Sequence, residues 1–458
     1  MRFKATAWLI AMPMMVAGCV LAPRGTAEQR QGVEQEGRQY RIPVAQRQLP
    51  ELPAQPGWSD LLQRAFLANG EIEAAFFEWQ AAVSRIDVAA GYPNSNVSLG
   101  FEYLFSGGNL KGWDRTTLTV GFDPMQNLSF PTKVLAAGRI ALDDARAAAS
   151  RLQGVKFALQ QRVLTAYFEL ALVSERLRLQ QELVALLRLT ESSARARADT
   201  GAAQQDVVGA AVELRIAENE LHNLEAELPQ QRAGLNSLVG RSADSILELP
   251  PSLPEQRPIE ADDAQLLAIG VVQNPELESL AQAVAGREHA LELARLQYLP
   301  DVNPFAGISG SMEQVVGAAI TLSTMLPQIR GRIVESEALL HASEAALRQA
   351  RVDRAATYVA TLLSLRNNER QAAVVETEIL PVALLAADLS RQTYVAGSGM
   401  LIQALASQQT VIAVRRSLAE ARMAREIRLA ELEALAGVDI ETVGQRTHVA
   451  TSGEEGRS

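Results

Sequence analysis

One cysteine, Cys19, stands in 458 residues. A single thiol excludes an internal disulfide framework, a thiolate cluster and a cysteine nucleophile elsewhere in the chain. Histidine is scarce too. His222, His289, His341 and His448 lie far apart on different predicted elements, which suits helix-surface roles better than a shared metal. Met312, Met325, Met400 and Met423 do not cluster. No Walker loop, HExxH or CxxC pattern occurs. Gly307-Ile308-Ser309-Gly310 falls short of the G-x-S-x-G nucleophile turn and sits in a predicted strand. No enzyme is read here, and no cofactor. Basic charge does not dominate: the formal net charge is -10, and no basic patch points to nucleic acid. Aromatic residues make up only 5%, which is too few for an ordinary mixed core. Alanine, Leu, Arg, Glu and Gln fill their place, the composition of long helices that meet through small side chains.

Arg2 and Lys4 precede a mostly apolar stretch, Ala5 to Gly18, which is too short to span a bilayer. It ends in Val16-Ala17-Gly18-Cys19, which resembles the bacterial lipobox. Residues 1–18 are therefore expected to be a signal peptide, with Cys19 the lipid-bearing first residue of the mature chain. Val20 stands where an Asp would mark inner-membrane retention, so the outer membrane is favoured. Residues 19–57, rich in Pro, Gln, Glu and Arg, read as an extended, lipid-anchored tether.

The remainder is written twice. Trp58 to Ala90 has a helical apolar face. Val97, Leu99, Phe101, Tyr103 and Phe105 then alternate with more polar residues, as do Leu118, Val120 and Phe122 after a turn. That is a β-hairpin with strands long enough for a membrane barrel. From Thr132 to about Thr200, Leu159, Val163, Ala166, Leu170, Val173 and Leu177 recur at coiled-coil spacing. Such a helix reaches about 100 Å at about 1.5 Å per residue. After Gly201 a second helix returns to Gly240 through Pro229, where a kink is expected. Residues 241–263, with Pro250, Pro251, Pro254 and Pro258, read as a linker. Then Asn274-Pro275-Glu276 answers Asn69-Gly70-Glu71, a second hairpin follows within Val302 to Ser323, and Leu326-Pro327 answers Phe130-Pro131. A helix with a kink expected at Pro381 runs to Ala396. Another runs from Leu401 to Gly437, where Leu435-Ala436-Gly437 answers Leu238-Val239-Gly240. The first repeat thus covers 58–240, the second 264–437, and 438–458 reads as a flexible tail. Asp143-Asp144 and Asp262-Asp263 are most simply solvated helix-end charges. At the two tips, Gly201, and Gly397 or Gly399, are placed to supply left-handed turns.

The order helix, hairpin, long helix, tip, long helix, repeated behind a lipobox, resembles the TolC family of outer-membrane efflux proteins. Ile379-Leu380-Pro381, Tyr394-x-x-Gly397 with Leu401 and Leu405, and Gly201 followed by Asp206-Val207 carry the likeness. The resemblance implies a mainly α fold with a β-barrel part, formed by a homotrimer. It also implies a passive duct in outer-membrane lipid, opened at its periplasmic tips by an adaptor protein and an inner-membrane pump. The strand count fits this independently, since four strands cannot close a barrel and lipid-exposed edges are forbidden. In the family, acidic side chains past the second tip can ring the lumen; here Gln403 and Ala406 stand there instead. Asp206 either caps the returning helix or rings the lumen in three copies. Tyr394 is expected to hold the closed tip through its hydroxyl. Alternatives within the family are a heavy-metal duct, for which Phe130-Pro131-x-Lys133 is a faint sign, and a type I secretion duct. Outside it stands a lipid-anchored coiled-coil protein without a pore.

Overall fold

The computed structural model describes residues 21–91, 97–105, 111–122, 129–199, 204–248, 253–270, 272–309, 313–321, 325–396 and 398–441. Cys19, Gly201, Gly397 and His448 lie outside these residues. The helices are α1 (Thr26–Gly37), α2 (Trp58–Ala68), α3 (Gly70–Ala90), α4 (Pro131–Ala198), α5 (Gln204–Leu238), α6 (Asp263–Gly270) and α7 (Pro275–Leu296). They continue as α8 (Leu326–Val374), α9 (Leu380–Val395) and α10 (Leu401–Ala436). The strands are β1 (Val97–Tyr103), β2 (Thr116–Phe122), β3 (Asp301–Ser309) and β4 (Glu313–Thr321). No helix among the described residues is long and apolar enough to cross a membrane.

The chain divides into two compact units. The first comprises residues up to Arg41, Glu73–Leu152 and Glu276–Arg351. It holds the sheet, which is antiparallel throughout in the order β1-β2-β3-β4. Both hairpins form as the alternation predicts, and β2 pairs with β3 so that one sheet joins the two repeats. Because cross-strand partners share a face, Leu99 and Phe101 of β1, Leu118 of β2, Ile308 of β3, and Val316 and Ile320 of β4 stand together. The face is left open: Leu99 is 78% exposed, Phe101 71% and Val316 80%. The opposite face carries Gly100, Glu102, Thr117 and Thr119. The outer edges of β1 and β4 have no strand partner among the described residues.

The same unit contains two departures from expectation. The segment read as an extended tether contains α1, a one-sided helix seated on α3. Trp79 Nε1 donates to Gln29 Oε1 at 3.0 Å, Arg30 pairs with Asp87, and the Tyr40 and Phe76 rings lie 4.9 Å apart. Its glycines allow the approach, since a Cβ on Gly32 would meet Trp79 at 2.9 Å and one on Gly37 would meet Phe76 at 2.8 Å. Asp143, read as a solvated helix-end charge, instead lies in the interior of α4 and is buried. His289 Nδ1 is 2.7 Å from its Oδ2, and Arg146 pairs with its other oxygen. His289 is therefore half-buried and paired rather than a free surface residue. Burial raises the pKa of the neighbouring Asp144, assisted by Asp143 and opposed by Arg151, Arg287 and Arg85.

The second unit comprises Ile42–Ile72, Gln153–Pro275 and the chain from Val352. Here the expected single helix from Trp58 to Ala90 breaks at Asn69. The Asn69 side-chain oxygen accepts the Glu71 N–H at 2.8 Å and so caps α3. Its amide donates to the Leu238 carbonyl at 3.3 Å, and Asn274 does the same to Leu435 at 2.6 Å. Gly240 and Gly437, just beyond those helix ends, adopt φ of 66° and 69°. The duplication is thus repeated in geometry: an asparagine closes on a helix end terminated by a left-handed glycine. On the α4 seam, Leu159, Val163, Leu170 and Val173 are buried, while Ala166 and Leu177 are half-buried. α5 continues through Pro229. Ahead of Pro381 the chain widens into a π turn, Val375–Ile379, which ends two residues before the proline. That widening accommodates the missing N–H and the ring without ending the helical path.

Candidate functional site: the helical tips

α4 ends at Ala198 and α5 begins at Gln204; α9 ends at Val395 and α10 begins at Leu401. The four ends pack on one apolar cluster. Val184, Leu187 and Ala194 come from α4, Ala210, Leu214 and Ala217 from α5, and Leu401 and Leu405 from α10; Val207 and Tyr394 pack against them. These are the small and branched side chains that helical spacing puts on facing stripes. Leu401 does restart the apolar pattern, and it does so buried.

The second tip turns without the expected left-handed glycine at 399. Among the described residues, the positive-φ glycines are Gly25, Gly240 and Gly437. Gly399 is needed for space instead. Its N–H and that of Ser398 both donate to the Thr393 carbonyl, at 3.0 and 3.1 Å. A Cβ at 399 would meet Thr393 Oγ1 and the Tyr394 nitrogen at 2.9 Å. The turn folds back so closely that only a hydrogen fits there.

Within the chain, Tyr394 is held through its ring and its carbonyl. The Arg197 guanidinium lies 4.5 Å from the ring centroid, and its Nη1 donates to the Tyr394 carbonyl at 3.1 Å. Arg197 thus ties the end of α4 to the end of α9 through a ring face and a backbone oxygen. Asp206 is half-buried in the first turn of α5, where the helix dipole favours its charge. Gln403 is exposed, as is Ala406. Asp206 and Gln403 share no hydrogen bond among the described residues. Higher up, Gln409 Nε2 donates to Glu213 at 2.7 Å, a pair separated in sequence by the same 196 residues as Gly201 and Gly397. Arg188–Glu218, Arg415–Glu182 and Arg176–Glu420 continue the cross-links. They are largely exposed, and each contributes little beyond orientation.

Behind the tips, the segment read as a linker supplies a residue that sequence reasoning missed. Arg257 is buried, and it donates to Glu426 at 3.1 Å and Glu433 at 2.9 Å. Arg425 donates to the Arg257 carbonyl at 2.7 Å and pairs with Glu369 and Glu426. Burial pushes the Glu433 carboxyl up to about 7 against the pull of Arg257. Its Oε1 accepts no hydrogen bond among the described residues, so it is the natural seat of a proton. The heptad-like Glu426-x6-Glu433 spacing on a buried helix face was the available signal. Asp262, by contrast, is the helix-end charge expected: it caps α6, exchanging hydrogen bonds with Gln265 at 2.7 and 3.1 Å. No group of three or more potential ligands that could hold a metal occurs among the described residues.

No family model matches the sequence, and no curated protein is significantly similar to it. Solved structures are. The chain is similar to the outer membrane protein VceC of Vibrio cholerae, with a TM-score of 0.69 and 18% identity, covering 83% of this chain and 96% of that one. It is similar to the open MtrE outer membrane channel of Neisseria gonorrhoeae, with a TM-score of 0.67 and 16% identity, covering 86% and 94%. The outer-membrane channel OprN gives 0.67 at 15% identity, covering 88% and 92%. The chain has the outer-membrane channel fold. The likeness covers more than four fifths of this chain in each case. The mainly α architecture with a small β contribution is the one implied by the resemblance drawn from the sequence.

Proposed function

We propose that the chain is one protomer of a homotrimeric outer-membrane channel that passes small molecules passively from a periplasm-spanning pump to the exterior. The single observation that carries this is the sheet. Four antiparallel strands have an exposed apolar face and two edges, β1 and β4, that are unpaired among the described residues. In lipid such edges must be paired, and copies of the same sheet offer the matching edge. Two copies would give eight strands and a filled interior, whereas three give twelve and leave a lumen. Exposed apolar stripes on the tip helices support assembly: Val208, Val212 and Ile216 on α5, and Val382, Leu385 and Leu389 on α9. The domain limits 1–18, 19–57, 58–240, 241–263, 264–437 and 438–458, the lipid on Cys19, the adaptor and the inner-membrane pump belong to this reading, with the tips as the gate. Purified protein should run as a trimer by native mass measurement and conduct ions in a planar bilayer. A stable monomer with no conductance would leave the lipid-anchored coiled-coil protein as the better description.

A further inference from the structure

A cavity of about 320 Å³ opens beside the base of the sheet in the first unit. Val88, Ala89, Val134, Ala137 and Leu293 give it an apolar wall, and Lys133, Gln297, Ser129 and Asp301 form a polar one. Lys133 is buried and fixed, donating to the Leu299 carbonyl and to Asp301, each at 2.8 Å. The cavity adjoins the point where the described chain begins. The Leu21 N–H donates to the Ala90 carbonyl at 3.0 Å, between cavity residues Ala89 and Gly91. Pro23 lies against Gly138, where a Cβ would meet it at 3.2 Å, and α1 is then fastened along α3. Cys19 is two residues before Leu21, a reach of about 7 Å at most.

We infer that the cavity receives an acyl chain of the lipid carried by Cys19, so that the anchor is seated in the protein rather than swinging on a tether. This rests on the lipoprotein reading proposed above. The chemistry fits on both walls. Methylenes leave water against Val88, Val134 and Leu293, while the amide and ester carbonyls of a lipidated cysteine are acceptors that suit the Ser129 hydroxyl and the Gln297 amide on the polar wall. Val88 is 80% exposed, an apolar side chain at the mouth that an acyl chain would cover.

The test uses full-length protein purified in mild detergent, with a photoactivatable benzoylphenylalanine in place of Val88. Intact mass first reports whether Cys19 is lipidated. On irradiation, the label should attach to the acyl chain of the N-terminal lipopeptide. Filling the cavity by Ala137→Phe or, separately, Ala89→Phe should lower that adduct at least fivefold while trimer and Cys19 lipidation persist. Unmodified Cys19 would overturn the inference by removing the anchor itself. Lipidated Cys19 with label attached to free phospholipid, to a second copy of the chain or to nothing would overturn the cavity assignment alone.

Discussion

At the residue scale, two charges decide what the sequence could not. Arg257 sits in a proline-rich stretch whose composition reads as solvated, yet it neutralises Glu426 and Glu433 inside the helical unit. Removing it by Arg257→Met leaves Arg425 to answer Glu426 but strands Glu433, which should cost about 3–5 kcal/mol in denaturant unfolding. Adding Glu433→Leu should recover most of that. The pH dependence has a definite sign. The folded carboxyl titrates near 7 and the unfolded one near 4.5, so its contribution is complete below 4.5 and is lost as pH rises through 7. Thermal unfolding of wild type against Glu433→Gln between pH 4.5 and 8 should show the variant gaining on wild type as pH rises; a constant difference would refute it. Arg197 is the second charge. Since it holds Tyr394 by ring face and carbonyl, Tyr394→Phe should leave channel conductance near wild type. Arg197→Ala should raise resting conductance, having lost a contact of about 0.5–1 kcal/mol per protomer. The opposite order would return the hold to the hydroxyl.

At the element scale, periodicity was an accurate guide wherever apolar residues gather on one face, buried in the long helices and open on the sheet. The α4 seam, both hairpins and both long helical pairs follow from the spacing of Leu159 to Leu177, Val97 to Phe105 and their counterparts. Legibility failed where the deciding partner is distant. Asn69 breaks a helix because it caps α3 and reaches Leu238, and Asp143 is buried because His289 arrives from the other repeat. Local pattern contains neither fact. The glycines divide the same way: Gly240 and Gly437 do take the left-handed turn, while Gly399 is small for want of room. Gly437→Ala combines an unfavourable φ with a Cβ 2.6 Å from Pro275, so it should destabilise by at least about 1 kcal/mol in unfolding measurements. On the sheet, Phe101 belongs to the open apolar face. Phe101→Lys should cost about 2–4 kcal/mol of membrane stability near the bilayer midplane, and less near an interface. Full insertion of that variant with unchanged resistance to denaturant would put Phe101 on the lumen side.

At the scale of the whole molecule, the proposed trimer would make the gate a property of three copies, and Asp206 is where the count matters. Within one protomer it is a half-buried carboxylate in the first turn of α5, well placed for the helix dipole and worth a few tenths to about 1 kcal/mol there. In a trimer, three such carboxylates around one axis would concentrate divalent and trivalent cations in the narrowest part of the duct. Gln403 and Ala406 add no charge past the second tip, so no second acidic ring reinforces the first. Cation block of the wild-type channel should therefore be weak. Asp206→Ala should weaken it further, with little change in trimer stability beyond the dipole contribution. Asp206→Asn isolates the charge, because it keeps the side chain's shape while removing the carboxylate. A loss of block in both variants assigns the carboxylates to the lumen. Unchanged block with the stability loss alone would make Asp206 a helix-start residue and place the constriction at the Arg197–Tyr394 clasp.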